Sequence, residues 1–352
     1  MKEKKTYLVT GGAGFIGTNF IKYLFEKYKD SIRVINLDKL TYAGNRENLA
    51  SEERAFDYVF VRGDICSQDL VRDVFRRYEI HRVVHFAAES HVDRSIADPG
   101  VFVQTNVFGT QNLLEEAKQV WETGEGHYKS NRKFLHVSTD EVFGSLGSEG
   151  KFTEESPYDP HSPYAASKAG ADLLVKSYVD TYGFPALITN CSNNYGPYQH
   201  PEKLIPHTIC TALKGQPVPV YGDGRNVRDW LYVGDHARAL DLVLEQGKIG
   251  TRYNIGGGSE RKNQEIVETI LRLLRSLTLQ DDPRGKAVRE AKILYTADRK
   301  GHDRRYAVDY SRIQKELGWE PERRLEEGLE ETVKWYLKRE SWMEEIGKRD
   351  KI

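Results

Sequence analysis

Cysteine and methionine are nearly absent from this sequence: three and two in 352 residues. The cysteines, at 66, 191 and 210, have no metal-ligand spacing and cannot all pair with one another. Neither a disulfide scaffold nor a thiolate metal site is therefore expected, and no His or Cys cluster argues for another metal. Apolar runs of membrane-spanning length are also lacking, so no membrane partner is expected. Nor does charge of one sign dominate, with 52 Lys and Arg against 53 Asp and Glu. The Lys and Arg runs are interleaved with acids and read as solvated helix surface, which offers no case for a nucleic-acid partner. The segment Met1-Lys-Glu-Lys-Lys5 leads into a strand without a signal-peptide core, and a cytoplasmic location is expected.

What is present is a globular composition, 39% hydrophobic and 30% charged, long enough for one large or two moderate domains. Short apolar runs alternate with amphipathic segments over the first 190 or so residues. Strands are expected at Tyr7–Thr10, Arg33–Leu37, Tyr58–Val61, Arg82–Phe86, Lys133–Val137 and Ala186–Thr189, with helices at Phe15–Tyr28 and Ser162–Tyr182. This pattern predicts an α/β protein with a Rossmann-type doubly wound parallel sheet. Beyond about residue 192, Pro and Gly punctuate the chain, and helices are expected near 203–214, 235–246, 263–277 and 325–337. The polar segment 278–292, with its Pro-Arg-Gly turn, reads as a surface excursion. The expected division is a cofactor domain over 1–191 and a smaller α/β substrate region over 192–352, with segments free to cross between them.

The strand at Tyr7–Thr10 runs into Gly11-Gly-Ala-Gly14-Phe15-Ile16-Gly17, which opens a helix. Glycines there let the backbone turn tightly and approach a pyrophosphate, while the helix N-terminus presents free N–H groups to it. Asp38 ends the next strand roughly twenty residues on, placed to bind ribose hydroxyls and repel a 2′-phosphate, so NAD is expected over NADP. Lys39 beside it softens that preference. Gly63-Asp64-Ile65 suits an adenine edge, and Phe86-Ala87-Ala88-Glu89-Ser90 supplies small residues where backbone lies against a cofactor.

Tyr164-Ala-Ala-Ser-Lys168 puts a phenol and an ammonium on one helix face at i and i+4. A cation beside a phenol favours phenolate, so Tyr164 is a candidate base near neutral pH. Asp140 and Glu141 are an adjacent acid pair after a strand. By spacing alone they are as readily a loop or helix cap as a catalytic pair. As catalysts they suit elimination beside a carbonyl, which needs one carboxylate ionised as base and one protonated as acid.

The series Asp38-Lys-Leu-Thr-Tyr-Ala-Gly-Asn45, Ala87-Ala-Glu-Ser-His-Val-Asp-Arg-Ser95, Ser138-Thr-Asp-Glu-Val142, Cys191-Ser-Asn-Asn-Tyr-Gly-Pro-Tyr-Gln199, Pro201-Glu-Lys-Leu-Ile-Pro206 and Gly301-His-Asp-Arg-Arg-Tyr306 resembles the extended short-chain dehydrogenase/reductase family, and within it the dTDP-glucose 4,6-dehydratases. Phe143, where those enzymes usually carry Tyr, and Lys300, where Pro is usual, are departures outside any catalytic role. The resemblance implies that Tyr164 takes the proton from the glucose C4 hydroxyl and Thr139 hydrogen-bonds the C4 oxygen. Glu141 then removes the C5 hydrogen, Asp140 protonates the departing C6 hydroxyl, and Lys168 binds the nicotinamide ribose. It implies further cofactor contacts at Leu40, Thr41, Thr105 and Asn194, with NAD held tightly because it is recycled each turnover. Substrate contacts are implied at Ser90, Thr139, Asn193, Lys203, Leu204, Pro219, Val220, Tyr221, Arg228, Asn263, Asp298, Arg299, Lys300, Gly301 and His302. Arg228 and His302 would lie near the diphosphate and Pro219–Tyr221 near the base. A homodimer through helices near 100–122 and 162–182 is also implied. The same chemistry on UDP-glucose, a UDP-sugar epimerase or decarboxylase, and a non-catalytic NAD-binding scaffold stay open as alternatives.

Overall fold

The structure, a computed structural model, describes residues 4–349; Met1–Glu3 and Asp350–Ile352 lie outside the described residues. Its main sheet has seven parallel strands in the order Arg252–Ile255, Ala186–Cys191, Lys133–Thr139, Arg82–His85, Lys5–Thr10, Ile32–Asp38 and Tyr58–Arg62. A parallel sheet needs helical crossovers that cover both faces, which is why its strands read as near-continuous apolar runs. Tyr7 and Val9 point into one core with Phe20, Leu24, Leu135, Leu240 and Trp319. Leu8, between them, points into the opposite core with Ile35, Val83, Trp121, Phe134 and Val175. Strand order reverses on either side of Lys5–Thr10, and there the carboxyl ends of the strands leave a crevice.

The expected strands of the first half, and the helices expected at Phe15–Tyr28 and Ser162–Tyr182, form within a residue or two at their ends. The expected helix near 100–122 is instead three pieces: an α-turn Pro99–Phe102, a π-helical segment Val103–Phe108, and the helix Gly109–Trp121. In the second half, helices Leu204–Leu213, Asn263–Leu277 and Leu325–Leu337 enclose a third core around Ile205, Trp230, Ile270 and Tyr336. The helix Val233–Gln246 and the strand Arg252–Ile255 belong to the first half spatially, packing on Phe15–Tyr28 and extending the main sheet beside Ala186–Cys191.

Two further features differ from the sequence reading. Within 278–292 a helix forms at Pro283–Glu290, started by Pro283 and capped by Asp282, which accepts from Arg284 N at 2.8 Å; Val288 is fully buried. A proline in the first helical turn and a proline in a surface turn look alike locally, and the burial of Val288 decides between them. A final helix, Glu340–Arg349, is tied back to the first half by Trp342 Nε1, which donates to Asn48 Oδ1 at 2.8 Å. Among the described residues no helix is long and apolar enough to cross a membrane.

Candidate active site

The crevice is a cleft of about 330 Å³ that runs from the glycine turn to Lys203. At one end the turn folds hard against its neighbours. Gly11 has φ +70°, and a Cβ on it would lie 2.6 Å from Ala87 N; one on Gly17 would lie 2.4 Å from Gly11 O. The helix that follows has no capping side chain and no acid in its first turn, leaving its N–H groups open to an anion. Gly11, Gly14, Phe15, Ile16 and Gly17 all line the cleft. Asp38 lines it too, with Oδ2 accepting from Ala13 N at 2.9 Å and Oδ1 from Leu40 N at 2.8 Å. Lys39 also lines the cleft, its charge met there by an ion pair with Asp64 at 2.7 Å. Thr41, Asp64, Ile65, Phe86 through Ser90, Thr105 and Asn194 continue the wall. Leu40 contributes its backbone N–H to Asp38 and is not part of the lining. An uncapped helix start, a glycine turn and a ribose-side carboxylate together suit a dinucleotide diphosphate.

The middle of the cleft holds the reactive groups. Thr139 ends the strand Lys133–Thr139 and caps a 3₁₀ turn, Asp140–Phe143; its Oγ1 accepts from Glu141 N at 3.2 Å and donates to Asp140 Oδ1 at 3.3 Å. Tyr164 and Lys168 come from the helix Pro163–Tyr182, which Ser162 starts by accepting from Ala165 N at 3.1 Å. Lys168 Nζ donates to Val137 O at 2.9 Å. Asp140 is buried, and burial, the neighbouring Glu141 and then Asp229 push its carboxyl well above the ordinary range, against Arg228 and the Thr139 hydroxyl. Burial also raises Glu141, but Arg228 and Lys203 oppose the shift. Both carboxyls are raised and Arg228 opposes both shifts, but Asp140 is raised the further, the order that an acid beside a base requires. Tyr164 runs against the sequence expectation. Burial, and after it Glu141, push the phenol well above its usual value, against the Thr139 side chain.

Toward the far end, Asn193 and Lys203 line the cleft, with Lys203 Nζ donating to Ser90 O at 3.2 Å. The remaining expected substrate residues lie beyond the lining, in a second cluster. Arg228 is held by Val227 O and Asp303 O at 2.8 and 3.0 Å over the Tyr306 ring. Arg299 lies against the Tyr221 ring and grips Asp93 at 2.7 Å. His302 pairs with Asp298 at 2.6 Å and meets the Tyr221 ring edge-on. Pro219 and Val220 sit in the strand Val218–Tyr221, Asn263 and Leu204 each open a helix, and Lys300 and Gly301 complete the Asp298–His302 turn. The charges of Arg228 and Arg299 both reach Glu141, so the two clusters adjoin.

The cleft also contains residues to which no role was given. Cys191, Ser192, Gln199, His200 and Glu202 line it, and Glu202 accepts from Tyr42 OH at 3.1 Å. All but Glu202 fall in or beside the segment Cys191–Gln199, whose polar, small composition was the available signal.

The model of the family described as GDP-mannose 4,6 dehydratase matches residues 8–332. This chain belongs to the extended short-chain dehydrogenase/reductase family of nucleotide-sugar dehydratases. It is 54% identical to a dTDP-glucose 4,6-dehydratase of Xanthomonas campestris pv. campestris, over 97% of this chain and 95% of that protein. Among solved structures it is similar to dTDP-glucose 4,6-dehydratases of Streptomyces venezuelae, with NAD and TYD bound, and of Bacillus anthracis, in complex with NAD. Both are 46% identical, over 97% of this chain and 99% of theirs, with TM-scores of 0.86 and 0.84.

Proposed function

We propose that this protein is an NAD-dependent hydro-lyase that converts dTDP-glucose into dTDP-4-keto-6-deoxy-glucose. The observation that carries the reading is the adjacent pair Asp140 and Glu141, the first raised the further by burial, in one cleft with Tyr164 and Lys168. Epimerases and decarboxylases on this scaffold have no use for such a pair. NAD bound in this cleft would supply the hydride acceptor for C4 of the sugar and, once reduced, the hydride donor for C6. Gly11, Gly14 and Gly17 accept its diphosphate, Asp38 its adenosine ribose, and Lys168 its nicotinamide ribose.

Thr139 Oγ1 holds the C4 oxygen while Tyr164 takes the proton that leaves it. Its phenolate requires a facing positive charge to offset burial and Glu141. With C4 a ketone, the C5 hydrogen is acidic, and Glu141 removes it as a proton. Asp140 gives its proton to the C6 oxygen, the C6–O bond breaks and water leaves, forming a C5=C6 double bond conjugated to the ketone. A proton restored at C5 completes the product. Arg228, His302 and Lys203 meet the diphosphate, and Pro219–Tyr221 the base. The cofactor region spans 1–191 and the substrate region 192–352, with Val233–Gln246 and Arg252–Ile255 crossing between them. The enzyme works in the cytoplasm as a homodimer.

Incubation with dTDP-glucose in deuterated water, without added NAD, followed by NMR of the sugar, tests this. A 4-keto-6-deoxy product with deuterium at C5 is expected. An unchanged C6 hydroxymethyl group, from folded protein that contains NAD, sinks it; turnover of UDP-glucose at the same rate would correct the base.

A further inference from the structure

Four residues after Lys168, on the buried side of the helix Pro163–Tyr182, stands Asp172, fully buried and without a part in the reaction above. A carboxylate in the interior is costly unless donors and a counter-charge meet it. Its Oδ2 accepts from Asn190 Nδ2 at 3.1 Å and Tyr158 OH at 3.2 Å, and Oδ1 lies 3.2 Å from His136 Nε2. The Asn190 amide also donates to Thr139 O at 2.9 Å, so the same network touches the turn that carries the acid pair. Burial, and after it Lys168, push His136 down to about 4, leaving a neutral imidazole that brings no charge.

The titratable groups facing Lys168 are Tyr164 and Asp172 on its own helix, His136 from Lys133–Thr139, His85 from Arg82–His85 and Cys191 from Ala186–Cys191. His85 is neutral like His136, and burial keeps Cys191 a thiol. Asp172, whose carboxyl is held down by His136 and Lys168, is the anion of this set. We propose that Asp172 is a positioning residue: it supplies the buried counter-charge of Lys168, keeping that ammonium charged and aimed beside Tyr164. The i, i+4 spacing places the two charges on one helix face, one turn apart.

The inference rests on the proposed function, and one readout is independent of it. Asp172→Asn keeps the shape: the amide oxygen still accepts from Asn190 and Tyr158, and its nitrogen donates to His136. Without the anion, Lys168 sheds its proton sooner as pH rises. The basic limb of C4 oxidation, followed as reduced-nicotinamide absorbance in a single turnover, is expected to move down by about one pH unit or more. NAD release followed by fluorescence carries the same limb without substrate, so a failure there strikes the role of Asp172, whereas a wild-type protein inert toward dTDP-glucose strikes the function. Limbs superposed on the wild type in both assays overturn the proposal and leave Asp172 a packing residue. If Asp172→Asn does not fold, Tyr158→Phe removes one donor, leaves more charge on the carboxylate and is expected to move the limb to higher pH. A limb that stays or falls then overturns it.

Discussion

At the scale of single residues, protonation states in the cleft are set by burial and by charges brought from elsewhere in the chain. Asp140 is the plainest case, because its carboxyl is raised by burial, Glu141 and Asp229 together. A group whose folded pKa lies above its unfolded value binds more protons in the folded state, so stability is fully present below the unfolded value and is lost as pH rises. Asp140→Asn removes that loss. Its melting temperature is expected to exceed the wild type's by a margin that grows as pH rises from about 4. Thermal melts at several pH values check this, and a margin independent of pH would contradict it. Glu141→Gln is expected to cut turnover by about 10²- to 10⁴-fold while leaving C4 oxidation intact. Reduced nicotinamide should then accumulate on adding dTDP-glucose, which absorbance follows directly. Loss of that absorbance together with turnover would mean that Glu141 serves the oxidation step instead.

Elements differ in how far their sequence announces them. The turn at Gly11 and the helix after it were legible because each depends on local backbone demands, a positive φ and an open helix start. Gly11→Val meets both a strained φ and Ala87 N, and is expected to cost about 1–3 kcal/mol in urea unfolding and to leave the purified protein without NAD. The helix Pro283–Glu290 was hidden because its one decisive apolar residue, Val288, is legible only once its burial is known. The acid pair was legible as a candidate and no more. Its turn is tied to the strand locally by Thr139, and to the redox helix through Asn190 and Asp172, contacts between segments apart in sequence.

Across the whole molecule, apolar side chains stay exposed on the two segments proposed to pair in a dimer: Val101 and Val103 on one, Leu173 on the other, each about half exposed. Such residues on adjoining helices suit a self-complementary interface. Val103→Asp with Leu173→Asp is expected to give a monomer in sedimentation and the wild type a dimer; a wild-type monomer would refute the assembly. The sequence by itself determined the doubly wound sheet, the glycine turn, and the identities of Thr139, Asp140, Glu141, Tyr164 and Lys168 as candidates. The sheet, the glycine turn and the Tyr164–Lys168 pair are encoded in short-range periodicity and motif spacing, whereas Thr139 and the acid pair were singled out by family resemblance. Only the tertiary structure decided that Arg252–Ile255 completes the first sheet, that Arg299 is held by Asp93, and that Asp140 and Tyr164 are both pushed toward their neutral forms. Strand pairing, ion pairing and desolvation depend on which distant segments meet, and that is a property of packing rather than of neighbouring residues.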